Sequence, residues 1–530
     1  MKPMIRAFST IGLELGSENI KYLSYLRYFV FGLLLPLGFA PFHLPGMAIL
    51  GLALFYTALA NSDNKSPFLC GLAFGLGFFG FGISWIYVSI HEYGHLHGII
   101  AAFITFAFLL YLSVFPALVA TVFTRLAIKP YAISSALLFS ALWIASEYLR
   151  SALLGGFPWL LLGFGQFDTP VKFLLPIVGV FGAGFVSCFA ATLLSIGIQT
   201  KGPQRFAYYL IFVICILIPL VLKPVKWAEE KDEPISVGII QANLSMRDKW
   251  DENLFWDLLQ HYKKGTEQLM GTQLIVLPES AIPLPATYVS EFLNKLQKRA
   301  NKTGSAILLG IPHPTTIDEN YYYNALTSLG KAEGAYFKQH LVPFGEFIPQ
   351  SIQFVTNWLG IPDANMKPGK KNQPLVTVHS HPIASLICYE LAYGDLLRKQ
   401  LPAAEWIVSI SDDGWFGHSL AMYQQLQMAQ VLSMEAARYQ VVSNNDGLSS
   451  VIDTQGEILD SLPAFSAGIL KSTVFASTGT TPWVIWGDLP VLLFSLLVII
   501  IFSIYKLILL KVSVQPIAAK HKRRYPYQPH

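Results

Sequence analysis

Charge is scarce in this sequence. Asp, Glu, Lys and Arg make up 13% of 530 residues while 53% are hydrophobic, and a soluble globular chain would carry about a quarter charged residues. Cysteine is scarcer, with 4 in the whole chain, which excludes a disulfide scaffold. No Walker or dinucleotide motif opens a helix after a strand, so nucleotide-driven chemistry is not expected. The small net charge of +4 sits largely in the tail Lys511–Arg524 and forms no basic stripe, which argues against a nucleic-acid partner. The first residues mix polar and apolar types without a short apolar run ending in a small-residue site, so a cleavable signal peptide is not expected either. His91, His95 and His97, with Glu92, crowd one short segment without ligand spacing on a defined element, so neither a metal nor another cofactor is expected.

What remains is hydrophobic sequence in long runs. Residues 25–222 and 484–510 are almost free of charge, whereas 224–480 hold most of the Asp, Glu and Lys. A membrane-crossing helix needs about 20 mostly apolar residues. The windows 25–41, 45–60, 67–90, 98–124, 131–150, 172–198, 206–223 and 484–510 qualify, predicting a polytopic α-helical bundle of about eight spans. The first two are short and joined by Pro41-Phe42-His43-Leu44-Pro45, so they equally fit one hairpin that crosses in part. The chain then divides into N-terminal membrane helices over 1–223, an inserted extra-membrane domain over 224–483, a C-terminal membrane helix over 484–510 and a basic tail over 511–530.

Lys and Arg set the orientation. Alternate connections collect Lys2, Arg6 and Lys21, then Lys65, Arg125 with Lys129, Lys201 with Arg205, and the tail Lys511, Lys520, Lys522, Arg523 and Arg524. The opposite connections hold Arg150, Lys172, Lys223 and Lys226. The positive-inside bias places both termini in the cytoplasm and the inserted domain outside it, which in a Gram-negative type of cell is the periplasm. Cys70, Cys188 and Cys215 fall within spans, so Cys388 is the one thiol of the exported domain. An oxidising compartment normally pairs its cysteines; a lone one there is either inert or reactive for a purpose.

Within the insert the pattern changes to short β-branched runs alternating with amphipathic stretches. Strands are predicted at 235–243, 273–277, 306–311, 322–328, 374–388, 406–410 and 440–453, and helices at 252–270, 288–302 and 419–438, which is a layered α/β domain. Pro- and Gly-rich pieces at 343–349 and 361–374 read as loops or lids. Three segments each deliver a reactive residue after a strand: Leu277-Pro278-Glu279-Ser280, Phe337-Lys338-Gln339-His340-Leu341-Val342-Pro343-Phe344-Gly345-Glu346, and Ile387-Cys388-Tyr389-Glu390. Taken singly, each is an ordinary loop or packed residue. Together a thiol, a carboxylate and a fixed cation are the minimum set for acyl transfer through a thioester. A helix N-terminus beneath Cys388, with Lys338 nearby, is expected to favour the thiolate.

Glu, Lys and Cys in this order and these contexts resemble the nitrilase superfamily, which implies an αββα sandwich and a Glu279–Lys338–Cys388 triad. The run His340–Pro349, Trp415-Phe416-Gly417, Gly156–Leu160 (GFPWL), GISWIYVSI over 82–90, Lys249-Trp250 and Asn324 narrow the likeness to the apolipoprotein N-acyltransferases, from about residue 30 to 505. That resemblance implies a multi-pass enzyme of the bacterial inner membrane. It would move an acyl chain from a phospholipid to the α-amine of a diacylglyceryl-modified lipoprotein. Glu279 would be the general base and acid, Lys338 the oxyanion stabiliser and Cys388 the nucleophile. Glu346, Glu390 and Tyr389 would support them, with Trp250, Asn324, Trp415, Trp159 and Arg150 as candidate substrate contacts. Residues 411–414 depart from the family pattern, reading Ser-Asp-Asp-Gly where Asn and an Ala-like residue are expected. A membrane-anchored amidase that uses water is the rival within the same chemistry. A transporter with a regulatory insert is the rival from another class, disfavoured because Glu147 and Arg150 near a span end make no polar pathway.

The lysine and arginine asymmetry makes a direct prediction: a reporter active only in the cytoplasm gives signal when fused after Lys520 and none when placed in the 362–373 loop. Signal from the loop fusion would overturn the orientation.

Overall fold

The computed structural model describes residues 17–61, 66–94, 96–249, 251–315, 321–343, 345–348 and 365–520. Trp250, His95, Lys65 and all of the 349–364 segment lie outside them, as do the terminal charges before 17 and after 520.

The N-terminal half is helical: α1 (Ser17–Leu33), α2 (Pro45–Ala60), α3 (Pro67–Gly82), α4 (Gly98–Leu126), α5 (Ile133–Ala152), α6 (Leu175–Gln199) and α7 (Gln204–Leu217). Among the described residues, five helical stretches are long and apolar enough to cross a membrane, the last beginning at Leu489. A sixth qualifies if α3 and the following Ile86–Tyr93 piece, bent by 66°, count as one broken span. The first two expected spans are the shorter apolar helices α1 and α2; Pro36, which cannot donate to a helix interior, stands just beyond α1.

The helices approach closely where glycine removes the side chain. A Cβ on Gly32 of α1 would stand 2.0 Å from the Phe74 carbonyl oxygen of α3, and one on Gly71 would stand 2.5 Å from Ala117 Cα of α4. Small residues at such crossings replace the hydrophobic driving force that lipid does not supply.

The inserted domain is a two-sheet sandwich. Its strands are β1 (Ala228–Gln241), β2 (Leu274–Val276), β3 (Ala306–Pro314), β4 (Tyr322–Gly330), β5 (Ala332–Glu333), β6 (Ala335–Phe337) and β7 (Val376–Val378). They continue with β8 (His381–Ile387), β9 (Trp406–Ser411), β10 (Gln440–Asn444), β11 (Ser450–Ile452), β12 (Ile458–Ser461) and β13 (Gly468–Gly479). One sheet runs β13-β1-β2-β3-β4-β6 and the other β12-β11-β10-β9-β8-β7-β5. Alternation sets the layers. Leu274 and Val276 join Trp406, Val408 and Ile410 between the sheets. Ile275 faces the other way, onto α8 (Phe255–Leu269) and α9 (Ser290–Thr303). Ile407 and Val442 face α10 (Ala421–Ala436) on the opposite side. The order helix, sheet, sheet, helix is the expected αββα arrangement.

Two expected strands divide: 374–388 is β7 and β8 around a turn in which His379 and Ser380 both have positive φ, and 440–453 is β10 and β11. β12 and β13 were not expected. β12 is exposed along its length, so burial imposes no alternation on its sequence.

The Gly32 crossing generates a contrast. Gly32→Val overpacks the α1–α3 contact at a cost of about 1–3 kcal/mol, so the detergent-solubilised protein should lose stability in a thermal aggregation assay. Gly80→Ala, with nothing within 4 Å of the added Cβ, should leave the curve in place.

Candidate active site

Glu279 sits three residues beyond Val276, where β2 ends, and its turn lies tight against β3. A Cβ at position 310 would meet Pro278 O at 2.5 Å and Glu279 Cα at 2.6 Å, so only glycine fits there. Lys338 follows β6, its N–H donating to Asn324 O at 2.9 Å. Cys388 follows β8 at φ 52°, a left-handed conformation that costs a non-glycine residue energy, and it opens the 3-10 turn Cys388–Ala392. The three residues thus come from three strand ends in two sheets.

The charged groups are buried together. Lys338 Nζ is 2.8 Å from Glu346 Oε1 and 3.3 Å from Glu279 Oε1, with the lysine side chain 1% exposed. Asn324 Nδ2 donates to the same two oxygens, at 2.6 Å to Glu279 and 3.0 Å to Glu346, so it bridges the carboxylates. Glu346 Oε2 accepts the Val342 N–H at 2.8 Å. Burial alone would push the lysine down, yet Glu279 and Glu346 hold its pKa above the ordinary range, so it stays an ammonium. One cation for two carboxylates leaves excess negative charge. Burial pushes the Glu279 carboxyl up, Lys338 opposes this, and Glu346 adds to the rise.

Cys388 corrects the expectation of a stabilised thiolate. The 3-10 turn that follows it is five residues long, too short for a helix dipole, and burial raises the thiol well above its usual range. Glu279 raises it further, and Lys338 opposes without winning. The thiol is therefore protonated at rest, with a carboxylate of raised proton affinity acting on it.

Glu390 is fully buried and acts as a hub. Its Oε1 accepts from the N–H groups of Gln339 at 2.7 Å and His340 at 3.1 Å and from the Tyr336 hydroxyl at 3.0 Å; Oε2 accepts from Ile387 N at 2.9 Å. It ties the segment after Lys338 to the strand before Cys388. Burial pushes its carboxyl up to about 7 against those three backbone donors.

Family models match the chain in two blocks, the apolipoprotein N-acyltransferase N-terminal domain over residues 31–193 and carbon-nitrogen hydrolase over 236–481. The apolipoprotein N-acyltransferase of Methylococcus capsulatus is 36% identical over 465 residues, 87% of this chain and 92% of its own. That of Coxiella burnetii is 35% identical, covering 87% and 96%, and that of Pseudomonas aeruginosa 34%, covering 86% and 90%. This chain belongs to the apolipoprotein N-acyltransferase family. Among solved structures, a carbon-nitrogen hydrolase from Helicobacter pylori G27 aligns over 45% of this chain and 88% of its own at 15% identity and a TM-score of 0.36.

In this family member the residues flanking Cys388 are bonded to the helical half. Tyr389 and Tyr393 hydroxyls donate to Gly156 O at 3.1 and 3.0 Å. The Tyr389 ring lies parallel to Trp159, with centroids 6.4 Å apart. Trp159 is 1% exposed and donates from Nε1 to Gln424 Oε1 at 2.6 Å, so it is packed at the joint. Trp415 is 39% exposed; its carbonyl accepts from Ser89 Oγ at 2.6 Å. Arg150, a candidate substrate contact in the sequence, is 2% exposed. Its Nη1 donates to the carbonyls of Phe157 and Trp159 at 2.7 and 2.6 Å, which shapes the loop. Among the described residues no group of three or more His, Cys, Asp or Glu is arranged to hold a metal ion.

Sequence reasoning noticed Lys249 and Asp412 only in passing. They form a buried ion pair, and Lys249 Nζ also donates to Glu279 O at 2.9 Å. A pair 163 positions apart in sequence leaves no local signal.

The Lys338 geometry predicts that Lys338→Arg is nearly as inactive in acyl transfer as Lys338→Ala, because a planar guanidinium cannot take the place of a compact ammonium between two carboxylates. Retention of most activity by the arginine variant would reduce Lys338 to a background charge.

Proposed function

We propose that this enzyme transfers an acyl chain from a glycerophospholipid to the α-amine of a lipoprotein's N-terminal diacylglyceryl cysteine, through a thioester on Cys388. The observation that carries the reading is family membership along nearly the whole chain, helical half included, with relatives named for lipoprotein N-acylation. In this reading about eight crossings anchor the protein in the inner membrane of a bacterium. Both termini are cytoplasmic and the sandwich is periplasmic.

In the first half-reaction Glu279 takes the Cys388 proton and the thiolate attacks the ester carbonyl. Lys338 and the Tyr389 N–H stabilise the oxyanion. Collapse breaks the ester C–O bond, and the lysophospholipid leaves with the proton from Glu279. In the second half-reaction the acceptor amine attacks the thioester and gives a proton to Glu279. The C–S bond breaks, an amide remains, and the proton returns to Cys388. Both substrates are lipids, and lifting acyl chains into water costs about 0.8 kcal/mol per CH₂. A sandwich held against the membrane helices avoids that cost.

Purified protein given labelled phospholipid and no acceptor should label itself on Cys388, with release by neutral hydroxylamine. Cys388→Ala should show no label, and Glu279→Gln should label on the order of 100-fold more slowly. A diacylated lipopeptide with a free α-amine should discharge the label, and an N-acetylated one should not. Steady release of free fatty acid without acceptor would mark an amidase-type hydrolase, and absence of any adduct would refute the assignment.

A further inference from the structure

A second buried ion pair reaches Glu279 through the main chain. Lys249, at the end of the short helix Met246–Lys249, donates from Nζ to the Glu279 carbonyl at 2.9 Å and to Asp412 Oδ2 at closer range. Asp412, just past β9, donates its backbone N–H to Glu279 Oε2 at 3.1 Å. The Lys249 and Asp412 side chains are 1% and 3% exposed. Asp412 Oδ1 accepts from Asn445 Nδ2 at 3.2 Å and Gly414 N at 3.3 Å, so the aspartate is fixed from three directions.

The two oxygens of Glu279 are thereby differentiated. Oε1 accepts from Asn324 and Lys338, whereas Oε2 accepts from the Asp412 N–H. Oε2 keeps a free lone pair for a proton, and the segment carrying Asp412 determines where that oxygen stands. The carbonyl at the other end of the same residue is held by Lys249. A core ion pair that served stability alone would have no need to hold one residue at both its main-chain carbonyl and its carboxylate.

We propose that Lys249 and Asp412 are positioning residues for Glu279, the ion pair fixing the Oε2 atom that accepts the thiol proton and balancing the charge that sets its basicity. This rests on the reading of Glu279 as general base. The charged and titratable groups that face Glu279 or the pair are Lys338, Glu346, Cys388, Asp413 and Asp446, the last acted on by both Asp412 and Lys249. Asp412 adds to the rise of the Glu279 carboxyl. Removing Asp412's charge leaves Lys249 unbalanced, which favours the carboxylate and weakens the base. Removing Lys249's charge leaves Asp412 unbalanced, which favours the protonated form. The two single variants therefore act in opposite directions.

The test is the rate of Cys388 alkylation by iodoacetamide in detergent-solubilised full-length protein, followed by mass spectrometry of the Cys388 peptide from about pH 5 to 9. In Asp412→Asn the acid limb should move down by roughly half a pH unit or more, and in Lys249→Met it should move up by as much. The double variant Lys249→Met/Asp412→Asn keeps the Oδ1 acceptor and buries no lone charge, which proteins often tolerate. Its limb should return to the wild-type position while its plateau rate stays about tenfold or more below wild type, because the Lys249 bond to the Glu279 carbonyl and the ion pair that anchors the Asp412 segment are gone, even though the backbone N–H at 412 remains. Limbs at the wild-type pH in both single variants, shifts in the same direction, or a wild-type plateau in the double variant would overturn the proposal. If the single variants do not fold, the double variant decides through its plateau; failure of all three to fold would assign the pair to stability and also overturn it. Glu279→Gln separates the two readings. A wild-type limb in Glu279→Gln would remove Glu279 as base, whereas a lost limb there beside unshifted pair variants would remove only the positioning role.

Discussion

The helix α10 has almost no face left for water, and the placement of the active site depends on how that helix is satisfied. One side packs on the second sheet through Ala429, Leu432 and Ala436, and the other enters the core of the helical half through Ala421, Met428, Val431 and Met434. Its buried polar side chains must find partners inside the protein, since each one left unpaired costs about 1–3 kcal/mol. Gln425 and Ser433 find theirs within the sandwich, and three others find theirs across the joint. Gln424 accepts from Trp159 and donates to Gly82 O at 3.1 Å, Gln427 accepts from Ala40 N at 3.2 Å, and Glu435 accepts from Val180 N at 2.6 Å. Each of those partners belongs to the helical half. Directional bonds of this kind fix the register of the sandwich against the membrane helices, which apolar contact alone leaves free to slide.

The site adds a second constraint, since its charge is buried with little water to screen it. An isolated buried ammonium would cost several kcal/mol, and Lys338 avoids this by lying between Glu279 and Glu346. The same crowding keeps a proton on Cys388 and raises the affinity of Glu279 for one. The polar network is therefore organised around the carboxylate and the lysine more than around the thiol. Glu390 draws together the two backbone segments on which Lys338 and Cys388 are carried.

The helical half takes part in the site's architecture. The loop Leu153–Leu162 is shaped by Arg150 from within and by Glu147, whose Oε1 accepts the Leu162 N–H at 2.9 Å, and it presents Gly156 O to the two tyrosines that follow Cys388. On another side the bent segment after α3 holds the Trp415 carbonyl, four residues beyond the end of β9 and close in sequence to Asp412. The helical half is thus hydrogen-bonded to the segment that follows the nucleophile and to the segment that carries Asp412.

The sequence by itself determined the elements that have a local cause. Long apolar runs marked the helices, short β-branched runs marked most strands of both sheets, and three short contexts marked Glu279, Lys338 and Cys388, because strand ends and turn residues announce themselves in a few positions. It did not mark β12, which has no buried face to pattern it, nor how many apolar segments fully cross, since length and composition alone separate α1 and α2 poorly from true spans. The tertiary structure decided what depends on residues far apart in the chain. It buried Arg150 and Trp159, made Asn324 a bridge between carboxylates, raised the thiol where a dipole was expected to lower it, and joined Lys249 to Asp412 behind Glu279. Desolvation and charge pairing follow from what surrounds a group in three dimensions, and no spacing in the sequence carries that information.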